Sequence, residues 1–240
     1  MKLVREKFIE ARKKNQKLLA VLIDPDKFFD NKIVDIINEN KVDLILVGGS
    51  ILTHGNLDDS IQQIKSMSQV PVIIFPGNAS HISTYADAIL ILSLISGRNP
   101  EYLISQHVQA APILSKSNLE TISVSYILIN GGNQTSVAYI SNTTPIPSDK
   151  PELALATALA GELIGHQLIY LEAGSGALQH VDEKTISLIK SNTQNPIIVG
   201  GGIRDATTAK SLWNAGADCI VIGNAAEENA AIIKEIAAIR

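Results

Sequence analysis

The sequence predicts an α/β protein folded as a single (β/α)8 TIM barrel, on three observations. Eight short apolar runs alternate with amphipathic stretches along the chain, each run is mostly free of polar residues, and glycine-rich turns follow the seventh and eighth runs. Strands of a parallel sheet read this way because both faces of the sheet are buried. The 240 residues suit the roughly 250 typical of one such barrel. No linker or low-complexity tract divides them, so residues 1–240 read as one domain. A doubly wound open sheet shares the alternation and is the competing arrangement. Eight units without a break in composition favour closure.

The runs are 18–23, 42–48, 70–75, 86–93, 121–129, 167–173, 196–200 and 218–223. Between them, residues 31–40, 58–68, 184–192 and 206–215 carry apolar residues at helical spacing. Examples are Ile33, Val34, Ile36 and Ile37 in the first, and Ala209, Leu212 and Trp213 in the last. The N-terminal stretch reads as an amphipathic helix with Leu3, Val4, Phe8, Ile9 and Ala11 toward the core. An Ala- and Ile-rich helix is expected over 225–239. Two segments break the pattern. Residues 76–85 are short and contain glycine, so the third unit is expected to be irregular, its helix stunted or absent. Residues 130–151 form a long insertion before an alanine-rich helix at 152–165, and loops of that length are functional lids or disordered segments.

Composition excludes several classes. Hydrophobic residues make up 45% of the chain, enough for a sizeable core, and the net charge of −4 lacks the basic excess of a nucleic-acid binder. The charged N-terminus is no secretion signal. No run reaches the roughly 20 apolar residues that cross a bilayer. The expected setting is the cytoplasm, with room for transient contact at a membrane surface. The lone cysteine, Cys219, rules out an internal disulfide and reads as a buried, inert thiol.

A barrel of this kind builds its site at the C-terminal strand ends. After the seventh and eighth runs stand GGGIRD (200–205) and GNAAE (223–227). Glycines there let backbone amides approach an anion, and paired turns at these positions are the usual barrel phosphate site; tight strand-to-helix turns are the simpler alternative. After the sixth run comes YLEAGSG (170–176). A buried carboxylate is costly unless paired or hydrated, so Glu172 should face the barrel mouth, where it can bind a hydroxyl or take a proton. Tyr170 shares its side of the strand. Asp24 ends the first run, and a carboxylate there suits Mg²⁺ or caps a turn before proline. Ser50 offers a hydroxyl to a metal, a phosphate or a turn. Arg98 reads either as a clamp on an anionic leaving group or as a surface ion pair. No Cys-His or Ser-His-Asp arrangement is evident.

Taken together and in order, LIDPDK (22–27), VGGS (47–50), PGN (76–78), SGRNPEYLI (96–104), YLEAGSG (170–176), GGGI (200–203) and IGN (222–224) resemble the geranylgeranylglyceryl phosphate synthase family. Bacterial heptaprenylglyceryl phosphate synthases are its relatives. The resemblance spans nearly the whole chain and is nearest the second group of that family, found in some archaea and in Bacteroidetes-type bacteria. The other group carries a lysine before the first aspartate; here Ile23 precedes Asp24, and that lysine's contact does not carry over.

The resemblance implies a Mg²⁺-dependent prenyltransferase that joins the 3-hydroxyl of sn-glycerol 1-phosphate to a polyprenyl diphosphate, geranylgeranyl by subgroup, and releases diphosphate. By the same resemblance Asp24 and Ser50 hold Mg²⁺. Tyr170, Leu171, Glu172, Ala173, Gly174, Ser175, Gly176, Gly201, Gly202, Gly223 and Asn224 hold glycerol phosphate, and Glu172 acts catalytically. An apolar groove for the tail is expected beside the third and fourth units, with Ile95, Tyr102, Leu103 and Tyr126 as candidate lining. Relatives form dimers or hexamers, so a homo-oligomer is expected, with apolar positions on the 100–115 and 152–165 helices as contacts. Another phosphate-binding barrel, of the thiamin phosphate synthase or sugar-phosphate isomerase type, and a non-catalytic phosphate-metabolite module stay open at this stage.

Overall fold

The computed structural model describes residues 3–28 and 30–240. Its eight strands are β1 (Leu18–Ile23), β2 (Leu44–Val47), β3 (Val72–Ile74), β4 (Ala88–Leu94), β5 (Glu120–Leu128), β6 (Leu168–Glu172), β7 (Ile197–Gly200) and β8 (Cys219–Ile222). They pair in chain order, all parallel, and β1 pairs with β8 to close the barrel. Each strand lies within one of the eight apolar runs or exceeds it by a single residue. The open-sheet alternative is thereby excluded.

Alternation along the strands makes two apolar layers. Leu18 and Ala20, Leu44 and Leu46, Leu168 and Tyr170, and Cys219 and Val221 fill the barrel. Leu19, Val21 and Ile23, Ile45 and Val47, and Ile169 and Leu171 face the helices outside. Helix α1 (Val4–Lys14) closes the N-terminal end, with Val4, Phe8 and Ala11 packed into the inner layer. Leu3 stays exposed and Ile9 is half-buried, so the core-facing stripe is narrower than expected. The same end is tied by side chains. Asp43 accepts from the Leu19 amide at 3.0 Å, Asp87 from Val72 at 2.8 Å and Asp218 from Ile197 at 2.9 Å. Asp218 is buried and paired with Lys190 and Arg12. Cys219 is buried, and burial pushes its thiol well above the ordinary range.

The outer helices follow the sequence pattern. They are α2 (Lys32–Glu39), α3 (Leu57–Met67), α4 (Gln106–Leu114, entered through a π-helical turn at Glu101–Ser105), α5 (Ser136–Ser141), α6 (Pro151–Leu163), α7 (Glu183–Asn192) and α8 (Ala206–Ala215). Caps define their starts: Asn56, Asp182 and Asp205 each accept a first-turn amide. No helix joins β3 to β4, which makes the third unit irregular as expected. The 130–151 insertion is ordered: it carries α5, and Ile146 bridges to Ile129. The helix expected over 225–239 is instead two, α9 (Asn224–Glu228) and α10 (Ala231–Ala237). Extended backbone at Asn229 interrupts it, and the Asn229 side chain accepts from the Ala231 amide at 3.1 Å. An asparagine side chain that bonds the backbone two residues on competes with continuing the helix.

Phe8 is 1% exposed in the inner layer. Phe8→Ala should lower unfolding free energy by about 3–5 kcal/mol, the range for emptying a buried aromatic site. Urea titration of the two proteins checks this.

Candidate active site

The strand register decides which residues meet. On β6 the inward positions are Leu168 and Tyr170, and Glu172 is the next position on that face, at the C-terminal end of the strand. The inward face of β1 leads through Leu22 to Asp24. Asp24, Ser50, Tyr170, Glu172, Gly174, Gly201, Gly202, Gly223 and Asn224 line one cavity of about 350 Å³ at this end of the barrel. That volume suits a small polar ligand.

Glu172 is 7% exposed. Burial raises its carboxyl group from the ordinary 4.5 to about 7, while hydrogen bonds from the Gly174 amide (2.6 Å) and the Tyr170 hydroxyl oppose the rise. The side chain therefore exchanges a proton near neutral pH, which suits a general base. Burial holds Tyr170 and Tyr126 in the neutral phenol form. With Phe75 they form an aromatic floor, ring centroids 5.4–5.9 Å apart.

Glycine is required beside this group. A Cβ at Gly200 would lie 2.6 Å from the Tyr170 hydroxyl and 3.0 Å from Glu172 Oε2. Gly201 has φ +84, and a Cβ there would lie 2.6 Å from Glu172 Oε1. Its missing side chain leaves Glu172 and the loop amides uncovered. Opposite, Ser175 Oγ donates to Asn224 Oδ1 at 3.0 Å, which ties the β6 loop to the start of α9. The turns after β6, β7 and β8 so converge on one rim, an arrangement suited to a phosphate.

The side chains of Leu171 and Ala173 do not line this cavity. They occupy the alternate face of β6 and pack in the outer layer. The two-residue period of the strand turns their side chains away, so the part expected of them in binding glycerol phosphate falls to the backbone.

Across the cavity, the loops after β1 and β2 bring Asp24 beside Gly49 and Ser50. Asp24 Oδ1 accepts from the Asp26 amide at 3.0 Å, and its Oδ2 lies 3.9 Å from Lys27 Nζ. Among the described residues no three His, Cys, Asp or Glu side chains gather as a self-sufficient metal cage. One carboxylate and one hydroxyl are hard oxygen donors, and they fit Mg²⁺, which takes few protein ligands and fills its shell with water and phosphate oxygens. Asp26 faces the β2 loop. A hydrogen bond from the Thr53 hydroxyl, joined by three backbone amides, holds its carboxyl below the ordinary range.

Two cations line the cavity without having stood out in the sequence. Lys27 Nζ is 2.8 Å from Glu227 Oε2, an ion pair that raises its ammonium group above the ordinary range. Arg204, directly after GGGI, donates to the Ala177 carbonyl at 2.7 Å. Their signal was position: Lys27 closes the LIDPDK motif and Arg204 directly follows GGGI. Arg98 is exposed, donates to the Ile95 carbonyl at 2.8 Å and lines neither cavity described here.

A second, apolar cleft opens from the same mouth. Ser50, Phe75, Tyr126 and Val137 line both spaces. The cleft continues past Ile82, Ile89 and Ile91 to Ala110 and Leu114, in the place left by the absent third helix, and Val137 and Ile140 of α5 wall its entrance. Tyr102 and Tyr126 line it as expected. Ile95 and Leu103 do not; Ile95 instead packs in the outer layer, near Gly161.

Fold and site together define a (β/α)8 barrel with a polar cavity lined by glycine-rich turns and an apolar annex at the mouth. The chain belongs to the PcrB family, whose profile matches residues 10–240. It is similar to the geranylgeranylglyceryl phosphate synthases of Chitinophaga pinensis (52% identity, 96% of this chain and 92% of that one) and Flavobacterium johnsoniae (53%, 94% and 94%). A crystal structure of (S)-3-O-geranylgeranylglyceryl phosphate synthase from Thermoplasma acidophilum, in complex with substrate sn-glycerol-1-phosphate, matches with a TM-score of 0.91 at 36% identity. That match covers 100% of this chain and 97% of the other.

Burial of Glu172 has a consequence for stability. Its folded-state value near 7 lies above the ordinary 4.5, so between these values the folded protein holds a proton that the unfolded chain has lost. Stability attributable to this group is therefore greatest at low pH and falls by about 3 kcal/mol as pH rises through this window. Glu172→Gln cannot ionise and should flatten that part of the profile. Urea unfolding at pH 5 and pH 8 should show the variant gaining on the parent at the higher pH.

Proposed function

We propose that this chain is a prenyltransferase of ether-lipid biosynthesis. It joins the 3-hydroxyl of sn-glycerol 1-phosphate to geranylgeranyl diphosphate and releases diphosphate. One observation carries the reading: the polar cavity containing Glu172 opens directly into an apolar cleft, with Ser50, Phe75, Tyr126 and Val137 common to both. A sugar-phosphate isomerase or a phosphate-metabolite module has no use for the second space. The names and identities of the relatives, and the glycerol phosphate in the Thermoplasma complex, support the same conclusion.

In this reading the turns at Gly174–Gly176, Gly201–Gly202 and Gly223–Asn224 take the phosphate of sn-glycerol 1-phosphate. Glu172 takes its hydroxyl end. The tail runs along the cleft between β4 and α4, which brings the allylic carbon to the junction of the two spaces. Asp24 and Ser50 would hold Mg²⁺ together with the diphosphate. The metal, when bound, supplies charge neutralisation at the leaving group.

The bond between the allylic carbon and the diphosphate oxygen breaks, and its electron pair leaves with diphosphate. A lone pair of the glycerol 3-oxygen forms the new carbon–oxygen bond, and the hydroxyl proton passes to Glu172. Phe75, Tyr126 and Tyr170 present aromatic faces beside the reacting carbon, where their negative quadrupoles favour developing positive charge. The apolar walls keep water from competing for it.

Among the described residues no helix is long and apolar enough to cross a membrane. The proposed setting is cytoplasmic, with transient membrane contact to receive the tail. The proposed assembly is a homo-oligomer, supported by exposed Ile104, Val108 and Ile113 near α4 and Leu163 at the end of α6.

Incubation with sn-glycerol 1-phosphate, geranylgeranyl diphosphate and Mg²⁺ should yield a lipid-extractable ether of the expected mass; no product overturns the reading. The rate should rise with pH through an inflection near 7, because the proton acceptor must be the carboxylate. Glu172→Gln should lower kcat by roughly 10²–10⁴ and remove that inflection, while calorimetry still detects glycerol phosphate. Chelation of Mg²⁺ by EDTA should abolish turnover and leave glycerol phosphate affinity unchanged, as measured by the same calorimetry.

A further inference from the structure

Asp24 and Ser50 stand on different loops, after β1 and after β2. Whatever joins those loops sets the spacing of the two groups. Asp26 Oδ2 accepts from the Thr53 amide at 2.8 Å and the Thr53 hydroxyl at 2.7 Å. Its Oδ1 accepts from the Gly55 amide at 2.6 Å and the His54 amide at 3.2 Å. The Asp26 carbonyl meets His54 Nε2 at 3.0 Å. Gly55 lies flush on Pro25: a Cβ there would sit 2.4 Å from the Pro25 carbonyl carbon. On its other side the β2 loop is seated by Gly77, where a Cβ would fall 2.3 Å from the Gly49 carbonyl oxygen. The segment from Gly48 to Asn56 has no helix or strand of its own. Asp26 itself lines neither the polar cavity nor the apolar cleft.

We infer that Asp26 is a positioning residue for the diphosphate end of the site: it clamps the loop bearing Ser50 to the loop bearing Asp24 and acts on the reaction only through that spacing. The inference rests on the prenyltransferase reading. A single exposed hydrogen bond contributes little, but four donors on one carboxylate move together. Charge-assisted bonds of this kind are also stronger than neutral ones. Without the carboxylate, three loop amides turn to water, and the hydroxyl of Ser50 loses its fixed distance from Asp24. All four donors to the Asp26 carboxylate come from the β2 loop and none from the turns after β6, β7 and β8. The Lys27–Glu227 pair that ties the β1 loop to α9 is left in place by the substitution, so glycerol phosphate affinity should not follow the clamp.

The test compares the parent with Asp26→Ala and the milder Thr53→Val. In Asp26→Ala, KM for geranylgeranyl diphosphate and the Mg²⁺ concentration for half-maximal rate should each rise about tenfold or more, and kcat should change less. Mg²⁺-dependent binding of inorganic diphosphate, measured by calorimetry, should weaken in parallel, and metal-free affinity for sn-glycerol 1-phosphate should stay the same. Amide exchange at Thr53, His54 and Gly55 should accelerate without metal. Faster exchange with unchanged KM and diphosphate binding overturns the inference. So does an equal loss of glycerol phosphate affinity, which marks a general defect. If Asp26→Ala fails to fold, Thr53→Val decides the same comparison at smaller scale. If the parent makes no lipid, the prenyltransferase reading fails on its own, while diphosphate binding and exchange still judge the clamp.

Discussion

The structure turns on a carboxylate held in an apolar barrel. Glu172 continues the inward face of β6 directly above Tyr170. Its ionised form is tolerated because Gly200 and Gly201 leave room at its oxygens and the Gly174 amide and Tyr170 hydroxyl bond to it. Desolvation costs more than these bonds return, so the proton is held to about neutral pH. The glycines that make room for the carboxylate belong to the turns that line the cavity beside it. Accommodation of the charge and exposure of backbone amides are thus one feature of the fold.

The second determinant is a break in the eightfold pattern. Seven strands are followed by at least one helix before the next strand or the end of the chain; β3 is not. The outer positions of β4, Ile89 and Ile91, consequently line a cleft. The insertion after β5 folds back so that α5 supplies Val137 and Ile140 to its entrance. A single omitted helix and a single added one convert a small-molecule barrel into one with space for an apolar chain, without changing the strand register.

The barrel was legible because strands buried on both faces are mostly apolar and stand out from the amphipathic stretches between them. The site was legible in so far as it follows from position at strand ends: Asp24, Glu172, Gly201, Gly202 and Gly223 needed only a strand boundary. What depends on side-chain direction was less visible. A motif read as a unit, YLEAGSG, divides into two faces, and Leu171 and Ala173 belong to the wrong one for the cavity. Ile95 and Leu103 were assigned to the cleft by proximity in sequence, but cleft lining is decided by packing between distant elements. The partition of 225–239 into two helices hinged on one asparagine bonding its own neighbour. Lys27, Arg204 and Asp26 stand in or beside marked motifs, but their partners lie up to 200 residues away, as between Lys27 and Glu227, and a single sequence does not show those pairings.

The central claim is that one reaction centre lies where the polar and apolar spaces meet, beside Glu172. The most direct measurement is a crystal structure of this chain with sn-glycerol 1-phosphate and an unreactive thio-analogue of geranylgeranyl diphosphate. The account predicts the glycerol 3-oxygen within hydrogen-bond reach of Glu172 and about 3–3.5 Å from the allylic carbon, with the tail between β4 and α4. A glycerol turned with its phosphate toward Glu172, or a tail leaving the mouth by another route, would contradict it.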